Sequence, residues 1–110
     1  MIALPALAQP TTALLNAVTA QGVGSAFAWH NYPASSFVAT VTTGGVASIN
    51  IEASQDKTTW IVLTTLALGS SNPLFAGYTV TSPAYPYVRG NVTALTGSGT
   101  PTVSLTMYPQ

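Results

Sequence analysis

Eight short runs rich in β-branched, aromatic and alanine residues follow one another along this chain, each closed by a cluster of Gly, Pro, Ser or Asn. Runs of that length, punctuated at such even intervals, leave little room for helices and favour strands joined by tight turns. The clearest is residues 46–53, where Ala47, Ile49, Ile51 and Ala53 alternate with Ser48, Asn50 and Glu52. A period of two places the first set on one face and the second on the other, so this is a half-buried strand. The other runs are residues 12–20, 25–29, 37–42, 59–68, 75–81, 87–95 and 102–108. Residues 12–20 also suit a helix, through Ala13, Leu14, Leu15 and Ala17, but the flanking Thr residues and the Gly22-Val23-Gly24 stop suit a strand equally well.

The pattern predicts which side chains face inward. Phe37, Ala39 and Val41 share one face, as do Val88, Val92 and Ala94, and Val103, Leu105 and Met107. In residues 59–68 both faces are apolar, Trp60, Val62, Thr64 and Leu66 against Ile61, Leu63, Thr65 and Ala67, which predicts a strand buried on both sides with Trp60 in the core. Gly44-Gly45 signals a hairpin turn, and residues 54–57 signal another. Eight short strands around one core predict an all-β antiparallel β-sandwich, with an eight-stranded jelly roll as first choice. Residues 1–11 form an N-terminal arm and 12–110 one sandwich domain, since 110 residues suffice for one core and not two.

Charge is what the composition lacks. Only 4% of residues are charged and the formal net charge is zero, while 17 Thr and 10 Ser supply the solvated positions. Copies of such a chain repel one another weakly, which favours a subunit that works inside an assembly. Lys57 and Arg89 are the two cations, too few to neutralise a run of phosphates, so nucleic acid is not an expected partner. No apolar run approaches the length of a membrane-spanning helix, and without cysteine there is neither a disulfide nor a thiolate metal site.

Catalysis is not expected either. The carboxylates are Glu52 and Asp56 and the single imidazole is His30. Glu52 and Asp56 could approach a glycosidase-like separation, but an outward strand residue followed by a turn aspartate is the better account. One His and two acids make no convincing triad or metal site, so no catalytic residue, cofactor or metal is assigned.

Two segments resemble known sequences. Ser54-Gln55-Asp56 followed by Trp60, within residues 49–60, and Tyr87-Val88-Arg89 followed by Thr96-Gly97, within residues 85–97, are similar to segments of small jelly-roll virion proteins of tailed bacteriophages. The resemblance implies a capsid decoration or cement subunit, often a homotrimer, on the outer surface of the head and bound to the major capsid protein or another virion subunit.

Candidate partner-binding residues follow from the apolar and aromatic inventory. Tyr85, Tyr87 and Arg89, with Tyr78 and Tyr108, are of the types enriched at interface hot spots; alternatively Tyr85 and Tyr87 cover an edge while Arg89 pairs with Glu52 or Asp56. Trp29 and Tyr32 flank His30 and Asn31 in a turn, able to stack on a sugar ring or to wedge into a neighbouring subunit. The first of these defines a second reading, a carbohydrate-binding or tail-associated module. The uncharged arm, with Pro5 and Pro10 favouring an extended path, is expected to lie across a neighbouring subunit and bury Ile2, Leu4 and Leu7.

Overall fold

The computed structural model describes residues 11–29, 34–81 and 85–109. Nine strand segments occur in them: β1 (Thr12–Val18), β2 (Gly22–Val23), β3 (Phe27–Ala28), β4 (Ala34–Val41), β5 (Gly45–Ser54), β6 (Trp60–Leu68), β7 (Phe75–Thr81), β8 (Tyr87–Gly97) and β9 (Val103–Pro109). No helix is present among the described residues. The arm residues Ile2, Leu4 and Leu7 lie outside them, as do His30 and Tyr32.

Every pairing is antiparallel, and the strands form two sheets. One has the order β1-β9-β4-β7, the other β2-β8-β5-β6 with β3 also on β8. β2 and β3 are two halves of one interrupted strand along β8, and the Gly24 amide between them donates to the Gly90 carbonyl at 2.8 Å. Counted that way, the eight strands interleave between the sheets in jelly-roll order, as the run pattern predicts. β5 and β6 form the one hairpin between full-length neighbours in sequence; the other connections pass from sheet to sheet. The turn at Gly44-Gly45 exists, closed by the Gly45 amide on the Thr42 carbonyl, but it carries the chain across the sandwich. It is therefore not the hairpin that the dipeptide suggests.

The core lies between the sheets, where the inward sets of β4, β5 and β9 meet: Phe37, Ile49, Ile51, Val103, Leu105 and Met107 are fully buried. Two expected inward sets are cut short by bulges, each of which adds a residue and exchanges the two faces beyond it. Between β5 and β8 the register shifts at Ser48/Ile49, so Val88 and Val92 are buried while Ala94 turns outward. Between β5 and β6 it shifts at Ile51/Glu52. Leu66 and Leu68 stay inside, but Trp60 and Val62 move to the outer face, and Val62 is 52% exposed. The strand expected to be buried on both sides is thus an edge strand, and Trp60 is not in the core.

Candidate functional site

All four formally charged side chains of the sequence gather at one end of the five-stranded sheet. Register brings them together: Glu52 on β5 lies directly opposite Arg89 on β8, with Asn91 two residues further along the same outer face. The Arg89 Nε donates to Glu52 Oε1 at 2.7 Å and the Asn91 amide to Oε2 at 2.9 Å. Both carboxylate oxygens are engaged, and Glu52 is only 5% exposed. The bulge that turns Trp60 outward completes the group, because the Arg89 guanidinium lies over its ring, 4.1 Å from the centroid. In the turn three residues before Trp60, Lys57 reaches toward β8, and its ammonium stands 5.1 Å from the ring centre of Tyr87, two residues before Arg89.

The turn below this cluster is organised by Asp56. Its Oδ1 accepts from the Thr59 and Thr58 amides at 2.9 and 2.8 Å and from the Ser54 hydroxyl at 3.0 Å. The Ser54 Oγ in turn accepts from the Asp56 and Lys57 amides. Lys57 takes the left-handed conformation, φ 64°, that such a turn needs. The turn amides, Thr59 first, then Thr58 and the Ser54 hydroxyl, hold the Asp56 carboxyl below its ordinary 3.8. A carboxyl lowered in the folded chain stabilises the fold above the unfolded value and stops doing so as pH falls through the folded value. The expected outcome is therefore loss of stability on acidification below about pH 3.8, diminished in Asp56→Asn, as read from thermal unfolding across pH. An Asp56 carboxyl that titrates by NMR at or above its ordinary value overturns this.

The opposite outer face, on β1-β9-β4-β7, carries no charged residue. Phe75 is 67% exposed there, with Val38 and Tyr108 also exposed and a Ser36–Thr79 hydroxyl pair at 3.2 Å on the same face. The two faces of the sandwich thus differ in kind: one concentrates the charge, the other is neutral and hydroxyl-rich.

The residues singled out by sequence are dispersed. Trp29 is a correction: it is 3% exposed, packs edge-on to Phe37 at 5.7 Å and donates its indole N–H to the Ser35 hydroxyl at 2.9 Å. It cannot stack on a sugar from there. The alternation Phe27-Ala28-Trp29, which points both aromatics inward from β3, is the signal that identifies it as core. Tyr85 also packs against the core, and Tyr78 sits against Phe37, so neither shares a face with Arg89. Tyr87 and Arg89 do share the outer face of β8, and Arg89 pairs with Glu52. Asn91 and Phe75 were not anticipated. The spacing Arg89-x-Asn91 in a strand was the available sign of the first; nothing in the sequence marks Phe75 as exposed.

Chemically, the charged cluster is closed upon itself. Each Glu52 carboxylate oxygen accepts one hydrogen bond, and the Trp60 and Tyr87 rings each stand beside a cation. Among the described residues no group of three or more His, Cys, Asp or Glu side chains could hold a metal ion.

The chain matches no protein-family model, and no curated protein matches it in sequence. Among solved structures it is similar to the SPBc2 prophage-derived protein YomS, with a TM-score of 0.66 over 92% of each chain at 10% sequence identity. At that identity the likeness is one of fold.

Proposed function

We propose that this chain is a non-enzymatic structural subunit of a bacteriophage particle, working by packing against other protein subunits. The observation that carries the reading is the neutral outer face of the four-stranded sheet, with Phe75 and Val38 exposed and no charge to keep it hydrated. Apolar exposure of this kind, on a chain with almost no charge to oppose association, suits a subunit held in an assembly. The fold likeness to a prophage-derived protein supports a phage setting. Within it, the finer assignment is a decoration or cement subunit on the outer surface of the head, bound to the major capsid protein and located in the virion, with Ile2, Leu4 and Leu7 of the arm as anchors and Tyr87 and Arg89 as a secondary contact. The carbohydrate-binding alternative loses its main stacking residue with Trp29 in the core.

The test is co-sedimentation with particles induced from a strain that carries the gene. The protein is expected to travel with the particles and to stay bound between about 0.05 and 0.5 M salt, since neutral surfaces are insensitive to screening. Deleting residues 1–10 is expected to leave a folded β domain that attaches poorly. Absence from purified particles overturns the reading; steep release by salt overturns the neutral mode of attachment.

A further inference from the structure

An exposed sheet edge offers a row of unpaired N–H and C=O groups that template another strand, and proteins usually blunt such edges. Among the described residues the sandwich has four edges, and three are blunted. β1 meets β9 with register shifts between Ala13 and Leu15 and between Leu15 and Val18. The edge along β8 is broken into β2 and β3, two residues each. β6 is bent by the bulge opposite Ile51/Glu52. β7 has no such device. It pairs with β4 in unbroken register from Ala34–Thr81 to Thr40–Phe75, contains neither Pro nor charge, and has no neighbour beyond it among the described residues.

A second observation is independent of the first. Gly77 stands in the middle of this edge with its backbone outside the left-handed region, and a Cβ there would meet only the Phe37 carbonyl oxygen, at an ordinary 3.5 Å. The chain's own fold does not require a glycine at that position. A glycine weakens a strand interior, and where it marks neither a bulge nor a bend it is often a site that a ligand or another backbone approaches closely; β7 has no bulge at Gly77.

We propose that β7 pairs antiparallel with β7 of a second copy of this chain, about a two-fold axis at Tyr78, joining two four-stranded sheets into one of eight. That register sets Gly77 opposite Thr79 of the second copy on the outer face and Ala76 opposite Val80 of the second copy on the inner face. On each face one small residue meets a β-branched one, Phe75 meets Thr81, and Tyr78 meets its own copy at the axis, so every pair recurs by the two-fold with no charge facing another. Self-complementarity is what a two-fold interface demands, and it is the reason a second copy is the occupant and not an unrelated strand. No charge repels the approach, because β7 is uncharged and the chain's formal net charge is zero. Because the contact is two-fold, the isolated chain is a dimer, unlike the trimer that the virion resemblance implies. The inference does not rest on the virion reading, and it is tested without particles.

The experiment is sedimentation velocity on the full chain from about 10 to 200 μM. The wild type is expected to be dimeric at the upper end. Position 77 lies diagonal to its own copy across the pair, about 7–8 Å away. Gly77→Lys and Gly77→Glu each place like charges there and are expected to weaken self-association about tenfold or more, whereas their equimolar mixture restores a dimer. Circular dichroism verifies that the variants are folded. A readout free of mutation accompanies it: hydrogen exchange at the β7 amides of the wild type slows as concentration rises. A wild type that is monomeric or trimeric, folded variants that dimerise as well as the wild type, or β7 exchange independent of concentration each overturns the proposal.

Discussion

Replacing Trp29 by Ala is expected to lower the free energy of unfolding by about 3–5 kcal/mol, the range for a large aromatic removed from a packed interior. Domains of this kind are held by only about 5–15 kcal/mol, so the variant stands close to unfolding at ordinary temperature. The loss has two parts. The ring leaves a void against Phe37, and the Ser35 hydroxyl, fully buried, loses its hydrogen-bond partner. Trp29→Phe separates them, retaining most of the apolar contact while stranding Ser35, and is expected to cost about 1–3 kcal/mol. Urea denaturation followed by circular dichroism gives both values. A cost below about 1 kcal/mol for the Ala variant would show that the indole is not part of the core.

Why that tryptophan is easily misread is a matter of competing local signals. Trp29 precedes His30, Asn31 and Pro33, residue types that belong to turns, and such neighbours suggest exposure. The inward alternation from Phe27 is only two residues long and is outweighed by them. Where alternation runs for longer it reads correctly: Ala47, Ile49, Ile51 and Ala53, and Val103, Leu105 and Met107, are buried as the period requires. Alternation fails where a bulge intervenes, because one extra residue reverses every later assignment and leaves no mark in composition. Trp60 and Ala94 are both such cases. The Glu52–Arg89 pair was among the expected alternatives, since charges this scarce tend to find each other. That it sits beneath Trp60 depends on the bulge and was not legible.

Glu52→Ala is expected to cost about 3–5 kcal/mol, because it leaves the Arg89 guanidinium partly buried with no counter-charge and deprives the Asn91 amide of its acceptor. Arg89→Ala strands the carboxylate in the same way and also uncovers Trp60. Replacing both with Ala removes the two charges together, so the double variant is expected to be more stable than the sum of the single losses implies, with a coupling of about 1–3 kcal/mol. Chemical denaturation of the four proteins in the cycle measures it. Strict additivity would mean that the two side chains contribute independently and that the contact between them is incidental.

The interleaved connections have a bearing on how the molecule comes apart. Since the chain passes from one sheet to the other at almost every turn, no stretch longer than the β5–β6 hairpin holds a self-contained piece of either sheet. Pulling out β4 would open the four-stranded sheet at its middle and cut the path into β5; pulling out β8 would do the same to the other sheet and to β9. Neither layer can persist as a remnant while the second dissolves, so the sandwich has no half-dismantled form in which to linger, and it is lost, like its hydrogen-bond ladders, all at once.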